Sequence, residues 1–536
     1  MKFKNLGIIG GGPNCVYALD VLLKKILKEK KDKLDLKISI YDKSGYFGCG
    51  IHSKVLGNNL LLNRVAGQIS LGSYPFIQFP KKLKKYDYDF LDWCKKNRYS
   101  KIKYTDWPAR AIFGQSLIDK FNDLLFLFRT LTKCKIILIS KKILSVKKNK
   151  KTILLNSENN HKYFHDKILV ITGTTFSNPS VDTFHYKTEK FYRNKKVNFY
   201  DQLIDLFLNK TFWKKKELMK NSLIYGMGVT AIDVISNLFQ ISKSKKIYCI
   251  SRTGLFPFAR PFNEKYKNTR KLEHSGIIFD KKLSIKIKKN LKIKKIINFE
   301  KSIYKILKIE FYLIYFQKFL NLKNYYQLTA IAKDCVKLKN LNDKMISHKF
   351  DLINDKLKNF SLLGKFNDSF YSNNWFANRE IISGIECDKY NFFDFFENPL
   401  LFSNNQDFEK NYIKFVSWDI NEAKKGNLQS QFKKASDGLW RDLRQNLTYI
   451  IDDNSLNPTS SKYFLRQVMS VHNRMADGPS LEKINELKNL IKKKFLIIMR
   501  NPDFLHVGKG SKVFFKDSKN NNQIHNIFFS ILSIFE

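Results

Sequence analysis

The first forty residues contain a strand–turn–helix–strand pattern that strongly limits what the chain can fold into. Residues 5–9 are a short apolar run, and residues 10–12 are three consecutive glycines. Residues 16–27 carry apolar side chains at helical spacing, and residues 38–41 form a second apolar run that ends at Asp42. The pattern predicts a buried parallel strand, a tight turn, a helix and a second parallel strand. This βαβ order is typical of a dinucleotide-binding fold.

The residue types at this turn suit the diphosphate of a dinucleotide. Glycine allows the backbone to approach the pyrophosphate, and the N-terminus of the following helix supplies N–H donors. The acid at the end of the second strand can accept hydrogen bonds from ribose hydroxyls. One departure is Cys15, which stands where the pattern has its third glycine and is expected to strain the helix–strand packing without excluding it. The expected cofactor contacts here are Gly10, Gly12, Pro13, Asn14 and Asp42.

A second nucleotide signature begins at residue 222. Residues 222–225 predict a strand, residues 226–231 form a G-x-G-x-x-A turn, and residues 232–239 predict a helix. The next predicted strand, residues 246–250, ends in Ser-Arg-Thr rather than in an acid. An arginine between two hydroxyls suits a ribose 2′-phosphate and favours NADP over NAD, although a surface arginine at a strand end is the alternative. The expected cofactor contacts here are Gly226, Gly228, Ala231 and Arg252.

Between and beyond these signatures the sequence predicts further elements. A helix is predicted over residues 115–131, strands of a small β insertion over residues 136–139 and 152–155, and a strand over residues 167–171 that returns to the first sheet. Residues 281–327 carry lysines among apolar residues at helical spacing, which predicts amphipathic helices with a solvated basic face.

Composition places the chain among globular proteins and leaves its high charge open to two interpretations. The 536 residues are 43% hydrophobic and carry a formal net charge of +49, which could indicate nucleic-acid binding. However, Arg accounts for only 14 of the 97 basic residues, and the lysines are spread over the whole chain. Proteins that read nucleic acids concentrate arginine at base edges and stacking planes, so we expect no specific nucleic-acid partner.

The scarcity of arginine makes each one informative, because a planar guanidinium fork can be required where lysine would not serve. Several arginines lie in motif-like stretches: Arg64, Arg110, Arg252, Arg260, Arg441, Arg444, Arg466 and Arg474. The seven scattered cysteines form no C-x-x-C pair, which favours a reducing cytoplasm and no structural metal. The first strand begins too close to Met1 for a signal peptide, and no apolar run reaches the length of a membrane span.

Two nucleotide sites with different strand-end residues suggest that the chain binds two different dinucleotides. An acid at the first and an arginine at the second favour FAD first and NADPH second, so that hydride would pass from NADPH to the flavin. The reduced flavin could then act on a disulfide, a quinone or dioxygen. Because the sequence lacks a C-x-x-C dithiol, dioxygen chemistry is favoured, in which a flavin hydroperoxide hydroxylates a bound substrate. Such chemistry needs water exclusion and hydrogen bonds rather than a side-chain nucleophile, so we assign no catalytic residue.

Several motifs together resemble the FAD/NAD(P)-binding oxidoreductases related to flavin-dependent N-hydroxylating monooxygenases of ornithine and lysine. They are G-x-G-P near the start, Phe-Gly-x-Gly at 47–50, Leu-Leu-Asn at 61–63, G-x-G-x-T-A-x-D at 226–233, Ser-Arg-x-Gly-Leu-x-Pro at 251–257 and Ala-Asp-Gly-Pro at 476–479. The resemblance implies FAD at Gly10, Gly12, Pro13 and Asp42, and NADPH at Gly226, Gly228, Ala231 and Arg252. Residues 265–380 add little to it. The chain departs from the pattern at Cys15 and at residues 172–174, which read Thr-Gly-Thr where relatives have Ala-Thr-Gly. The Phe-x-Gly-x-x-x-His fingerprint of Baeyer–Villiger-type relatives is absent.

The remaining candidate residues are polar side chains in glycine- and asparagine-rich loops. Further cofactor contacts are predicted at Asn63, Arg110, Gly173 and Asp477. Residues that could line a substrate pocket are His52, Asn63, Arg110, His472, Asn473 and Asp477. Each of them is more often structural or flavin-facing than catalytic in such a loop.

These observations predict an α/β protein with two Rossmann-like dinucleotide-binding domains and a helical insertion. Residues 1–215 are assigned to an FAD-binding domain and 216–280 to the first part of an NADPH-binding domain. Residues 281–380 are assigned to a mainly helical insertion, 381–460 to the remainder of the NADPH or substrate region, and 461–536 to a return to the FAD-binding domain.

The leading hypothesis is an FAD-dependent, NADPH-consuming monooxygenase of a small or medium organic substrate, with dioxygen as co-substrate. Some members of the branch that the chain resembles look like tailoring enzymes of natural-product pathways, which implies alkaloid-type secondary metabolism. The alternative is an FAD/NADPH dehydrogenase or reductase without oxygen activation. A basic flavoprotein that binds RNA is a third hypothesis. We expect no membrane association and leave an oligomer open.

Overall fold

The computed structural model divides the chain into two compact units, residues 1–190 with 202–213 and residues 191–201 with 214–536. The structure describes residues 4–29, 35–50, 52, 60–74, 77–149, 152–172, 198–200, 211–214, 216–219, 221–261, 277–292, 298–318, 320–337, 343–362, 393, 397–400, 407–451, 456–500, 504–507, 513–516, 521–524 and 527–532.

The first unit is built on a parallel sheet of four described strands. Its strands are β1 (Asn5–Ile9), β2 (Lys37–Tyr41), β3 (Lys135–Ile139) and β7 (Lys167–Val170), in the spatial order β3-β2-β1-β7. Ile8, Ile38 and Ile40 are buried in the sheet, and the helices cover them with apolar side chains. The main helices are α1 (Pro13–Lys28), α2 (Phe90–Lys96) and α3 (Arg110–Leu131). The predicted return of residues 167–171 to the first sheet is confirmed, because β7 pairs with β1.

One strand of this unit lies elsewhere than predicted. Residues 136–139 were assigned to a small β insertion, but β3 pairs in parallel with β2 and extends the main sheet. The physical reason is the long helix α3, which carries the chain back so that β3 runs parallel to β2. The insertion itself is an antiparallel sheet of β4 (Ile143–Lys148), β5 (Ile153–Ser157) and β6 (Lys162–His165), which contains the predicted strand at residues 152–155.

The second unit contains a parallel sheet of five described strands in the order β11-β10-β9-β15-β8. The strands are β8 (Asn198–Tyr200), β9 (Asn221–Tyr225), β10 (Ile247–Ser251), β11 (Leu496–Arg500) and β15 (Ile527–Leu532). A separate antiparallel sheet consists of β12 (Phe504–Val507), β13 (Val513–Lys516) and β14 (Asn521–Ile524). The predicted α/β fold with Rossmann-like parallel sheets is therefore confirmed.

The C-terminal segment differs from the expectation for residues 461–536. We expected a return to the FAD-binding domain, but β11 pairs with β10 and β15 pairs with β9 in the sheet of the second unit. The backbone of β11 pairs with the edge of β10 that β9 leaves open, and a sequence pattern of apolar residues does not specify which sheet a strand joins. The other predicted domain limits stay predictions.

The second unit also contains most of the described helices. They include α4 (Val229–Gln240), α5 (Lys281–Lys292), α6 (Tyr304–Phe316), α7 (Leu322–Lys337), α8 (Asp343–Leu362), α9 (Phe408–Gln429), α10 (Arg444–Ile451), α11 (Met469–Ala476) and α12 (Leu481–Lys492). Short π-helical segments occur at Phe299–Ile303, Lys434–Gly438 and Phe464–Val468. None of the described helices is long and apolar enough to cross a membrane.

The helix α6 is buried on nearly all sides, whereas we expected an amphipathic helix with a solvated basic face. Its two lysines do not form a solvated stripe, since the Nζ of Lys305 lies 5.3 Å from the ring centre of Phe350 and that of Lys308 lies 4.9 Å from that of Phe393. The aliphatic stems of lysine can be buried while the ammonium group contacts aromatic faces, which explains why the pattern was misleading.

Candidate functional site

The first glycine turn has a backbone geometry that only glycine supports at Gly10. Gly10 has a φ of +110°, and its N–H donates to the carbonyl of Tyr41 at 2.8 Å. A Cβ at this position would collide with the carbonyl oxygen of Ile171. The turn is therefore held between the ends of β2 and β7, and it directs the chain into α1.

The N-terminus of α1 is open to a ligand. Gly12 lies just before the helix with extended backbone angles (φ −78°, ψ −161°), and no side chain of the described residues caps the helix. Among the described residues, a Cβ added to Gly12 would meet only the Cα of Gly50, at an ordinary contact distance of 3.6 Å. The described part of the chain therefore leaves a cradle at Gly12 that a Cβ would partly fill. An uncapped helix N-terminus beside such a cradle fits the diphosphate of a dinucleotide. Pro13 opens the helix and Asn14 is exposed beside it.

The carboxylate of Asp42 is fixed next to this turn. Its Oδ2 accepts a hydrogen bond from the N–H of Gly11 at 2.9 Å. Its Oδ1 accepts from the N–H and the hydroxyl of Ser44 at 2.8 and 2.6 Å. A carboxylate has about four acceptor positions, so Oδ2 retains capacity for a ribose hydroxyl. The geometry agrees with the role predicted for Asp42, which stays a prediction.

Cys15 occupies its position in the turn without an exposed atom. The side chain is fully buried within the apolar core of the first unit, and its N–H donates to the carbonyl of Gly12 at 2.9 Å. Burial raises the pKa of the thiol to about 12, and the charge of Asp42 acts in the same direction. Cys15 therefore behaves as a small apolar side chain at the place of the third glycine.

Arg110 and the predicted loop residues come together in the first unit. The Nε of Arg110 donates to the carbonyl of Leu61 at 3.1 Å, and its backbone N–H donates to the carbonyl of Leu60 at 2.8 Å. This pairing places half-buried Asn63 beside the start of α3. The predicted cofactor residue Gly173 lies outside the described residues.

His52 lies against the same helix as a half-buried side chain whose Nδ1 is buried. Its ring contacts Phe113 edge to face at 5.2 Å, and its Nδ1 has no hydrogen-bond partner among the described residues. Burial, followed by the nearby charge of Arg110, lowers the pKa of His52 to about 4. The side chain is therefore neutral at pH 7, and its buried Nδ1 is available to a polar group of a bound cofactor or substrate.

We expect His52 to make the folded protein sensitive to acid between pH 6.5 and about 4. In this range the unfolded chain binds a proton at His52 that the native state does not, so stability is lost as the pH falls. A shift of this size corresponds to about 3 kcal/mol. The free energy of unfolding, measured with urea, should fall between pH 7 and pH 4 by about 3 kcal/mol less in His52→Gln than in the wild type. The exposed His161→Gln is the matched control and should follow the wild type. An equal loss in wild type and His52→Gln would contradict the assignment.

The second glycine turn repeats the geometry of the first. Gly226 has a φ of +95°, and its N–H donates to the carbonyl of Ile250 at 2.7 Å, as Gly10 does to Tyr41. Gly228 precedes α4 in an extended conformation, and no side chain of the described residues caps the helix. The N–H of Ala231 donates to the carbonyl of Gly228 at 3.1 Å, and its methyl group is fully buried. The second turn thus ends, like the first, at a helix N-terminus that no described side chain caps, an arrangement that suits an anion.

The end of β10 carries the residues that would distinguish the cofactors. The hydroxyl of Ser251 contacts the sulfur of Met227 at 3.2 Å and accepts from the N–H of Gly254 at 2.9 Å. This connects the strand end to the glycine turn. Arg252 follows with an exposed side chain, as a residue that binds a 2′-phosphate would.

Two sequence motifs that are far apart along the chain lie side by side in the second unit. The N–H of Phe258 donates to the carbonyl of Arg474 at 2.8 Å, and the N–H of Arg260 donates to the carbonyl of Pro479 at 3.0 Å. A Cβ at Gly478 would collide with the carbonyl oxygen of Phe258, so the close approach requires glycine there. The Ser-Arg-x-Gly-Leu-x-Pro and Ala-Asp-Gly-Pro motifs therefore form one structural element.

Asp477 belongs to this element, and so it lies in the second unit rather than in the unit of the first glycine turn. Its Oδ1 lies 3.4 Å from Nη1 of Arg260, and its Oδ2 lies 3.6 Å from Nδ1 of His472. His472 Nδ1 is also 3.1 Å from Oδ1 of Asn473. The structure thus brings together three of the predicted pocket residues, His472, Asn473 and Asp477, but separates them into a different unit from His52, Asn63 and Arg110.

Sequence reasoning missed the buried charges that support this element. Asp419 and Lys433 form a buried ion pair that binds both backbone polar groups of Ala259. Asp437 is buried within ion-pair distance of Arg260 (3.8 Å) and Arg441 (3.2 Å). In the sequence, only the scarce arginines indicated that this region is special. The acids and Lys433 lie in ordinary helical patterns.

A sequence comparison with known protein families finds a match that includes the first glycine turn. A family model described as FAD-NAD(P)-binding matches residues 7–175. No curated protein matches the chain in a sequence search. The similar solved structures include reduced ornithine hydroxylase PvdA from Pseudomonas aeruginosa, with 15% identity over 54% of this chain and 61% of that chain and a TM-score of 0.33.

Two further structures are similar to the same degree. Kutzneria sp. 744 ornithine N-hydroxylase KtzI has 11% identity over 68% of this chain and 70% of that chain, with a TM-score of 0.34. Lysine monooxygenase NbtG from Nocardia farcinica has 12% identity over 46% of this chain and 59% of that chain, with a TM-score of 0.31. The chain thus spans less than two thirds of PvdA and NbtG, and TM-scores of this size support no inference about activity. The family match and the geometry of the first turn fall on the same part of the chain, since the matched residues 7–175 include Gly10, Gly12 and Asp42.

Proposed function

We propose that the chain is an FAD-dependent monooxygenase that consumes NADPH and hydroxylates a small or medium organic substrate. The observation that carries the proposal is the pair of uncapped glycine turns with equivalent hydrogen bonds, one beside Asp42 and the other beside Arg252. Two such turns on two parallel sheets support two different dinucleotides in one chain. The further prediction of alkaloid-type secondary metabolism rests on the motif resemblance alone.

Each part of the first turn has a distinct task in this proposal. The backbone at Gly12 and the N-terminus of α1 hold the diphosphate of FAD, and Asp42 orients a ribose hydroxyl. Neutral His52 offers a buried nitrogen as a hydrogen-bonding group in the same unit. FAD, when bound, supplies hydride acceptance from NADPH and activation of dioxygen, and the protein supplies orientation and exclusion of water.

The cysteines favour oxygen chemistry over disulfide reduction. The five cysteines whose side chains the structure describes are buried free thiols: Cys15, Cys49, Cys94, Cys134 and Cys249. Burial is the largest cause that raises the pKa of each of them. A redox dithiol needs an accessible thiolate of lowered pKa, which is the opposite environment.

Rapid mixing tests the proposal against its alternative. The purified flavin-loaded protein is reduced with NADPH without oxygen and then mixed with oxygenated buffer while its absorbance is followed. A monooxygenase should show a transient spectrum unlike that of oxidised or reduced flavin. A single-phase return to oxidised flavin would support the FAD/NADPH dehydrogenase or reductase. A salt-dependent shift with transfer RNA would be required to support the RNA-binding hypothesis.

A further inference from the structure

A second guanidinium lies at the end of β10, next to the residue predicted to recognise the 2′-phosphate of NADPH. The Nη1 of Arg474, on α11, donates to the hydroxyl of Thr253 at 3.4 Å. Thr253 directly follows Arg252 in the chain. Arg474 therefore lies at the same strand end as Arg252, although the two are more than two hundred residues apart in sequence. The hydroxyl of Thr253 at this strand end can also bind phosphate.

The surroundings of Arg474 leave much of its charge uncompensated. Its side chain is only 12% exposed, and its one ion-pair contact among the described residues, with Glu397, is 3.8 Å long. Its Nε is buried without a hydrogen-bond partner in the described part of the chain. Burial lowers the pKa of Arg474, Glu397 acts against this, and the nearby charge of Arg252 lowers it further. Burial next to a second positive charge is unfavourable for Arg474, and a bound anion would offset this cost more fully than the distant carboxylate of Glu397.

The backbone of Arg474 is fixed before any ligand binds. Its carbonyl accepts the N–H of Phe258, and Gly478 allows residues 476–479 to lie directly against that strand extension. The guanidinium is thus presented from a rigid element rather than from a loop. Such preorganisation reduces the entropy lost when a ligand is bound.

We propose that Arg474 binds the 2′-phosphate of NADPH together with Arg252 and so determines the preference for NADPH over NADH. This rests on the proposed function, because it requires NADPH at the second glycine turn. A planar guanidinium can donate two parallel hydrogen bonds to phosphate, which explains why arginine rather than lysine stands at position 474 of a lysine-rich chain. Residues 476–479 then serve to position this arginine.

Binding of two nucleotides that differ only in the 2′-phosphate tests the proposal. The full flavin-loaded chain is titrated calorimetrically with 2′,5′-ADP and with 5′-AMP. Arg474→Gln should weaken 2′,5′-ADP binding by about 10- to 100-fold, as expected for the loss of a charged hydrogen-bonding partner, and change 5′-AMP binding less than about twofold. Arg474→Lys keeps the charge but not the planar fork, and should recover part of the loss. Arg466→Gln removes an exposed arginine of the same unit and is the matched control.

The outcomes separate the two levels of the proposal. If Arg474 serves only to pair with Glu397, then Arg474→Gln and Glu397→Gln will leave the ratio of 2′,5′-ADP to 5′-AMP affinity unchanged, which overturns the role of Arg474 and leaves NADPH binding intact. If the wild type binds 2′,5′-ADP no better than 5′-AMP, both the role of Arg474 and the NADPH assignment fail. Flavin content and melting temperature of each variant show that a loss of binding is not a loss of fold.

Discussion

A methyl group added at Gly12 is expected to weaken FAD binding by about 100-fold while leaving the fold intact. The backbone angles at Gly12 are accessible to alanine, and in the described part of the chain the added Cβ would meet only the Cα of Gly50, at 3.6 Å. However, the methyl group would occupy the cradle in which the diphosphate approaches the N-terminus of α1. The loss of two charged hydrogen bonds from backbone amides corresponds to about 3 kcal/mol or more, which gives the expected factor.

Titration of flavin-free protein with FAD, followed by flavin fluorescence, measures this effect. The matched comparison is Gly10→Ala, two residues earlier in the same turn. Gly10 has a φ of +110° and no room for a Cβ beside Ile171, so this variant should lose about 3 kcal/mol of folding free energy. The free energy of unfolding of Gly12→Ala should instead lie within about 0.5 kcal/mol of that of the wild type. A Gly12→Ala protein that binds FAD as tightly as the wild type would show that the diphosphate does not lie there.

Replacing Lys24 by Met is expected to lower the free energy of unfolding by about 3–5 kcal/mol. Lys24 is fully buried on α1, and its Nζ lies 3.0 Å from Asp20 and 2.8 Å from Asp87. Asp20 also lies 3.5 Å from Lys120 of α3 and accepts two hydrogen bonds from Ser73. Removing one member of a buried ion cluster leaves its partners desolvated without compensation, which costs several kcal/mol even when the volume is preserved.

This cluster fixes the segment around residues 73–87 to the two long helices of the first unit. The control is Lys25→Met, which makes the same change at an exposed position of α1 and should alter stability by less than about 0.5 kcal/mol. Both variants are measured by urea unfolding at pH 7. A loss below about 1 kcal/mol for Lys24→Met would indicate that the buried charges are hydrated or relax independently. In the double variant Asp20→Asn, Lys24→Met the two losses should not add, because the groups contact each other.

Both glycine turns could be predicted from the sequence because their signals are local. A strand, a turn that needs glycine and a helix follow one another within about twenty residues, and backbone geometry dictates each residue type. The structure adds that α1 begins at Pro13, a residue suited to the first helical turn. The sequence pattern also contained Arg252 at the strand end, since β10 directly follows the second turn and helix.

The features that were missed depend on contacts between distant parts of the chain. The strands β11 and β15 join the second sheet, although nothing in their apolar residues distinguishes one sheet from the other. The position of Asp477 in the second unit was missed for the same reason, because it depends on which sheet the C-terminal strands join. The folded chain brings three distant residues into contact with the segment 251–260, namely Asp419, Lys433 and Arg474. Their sequence context did not reveal this, because a charged residue in a helical pattern usually predicts an exposed face.

Binding of FAD at the first glycine turn is tested directly by the cofactor that the purified 536-residue chain carries. The protein is denatured, and the released cofactor is identified by its absorbance and mass and quantified per chain. We expect about one FAD per wild-type chain, and little or none in Gly12→Ala purified in the same way. A colourless wild-type protein that also gains no flavin when it is reconstituted with FAD would contradict the account.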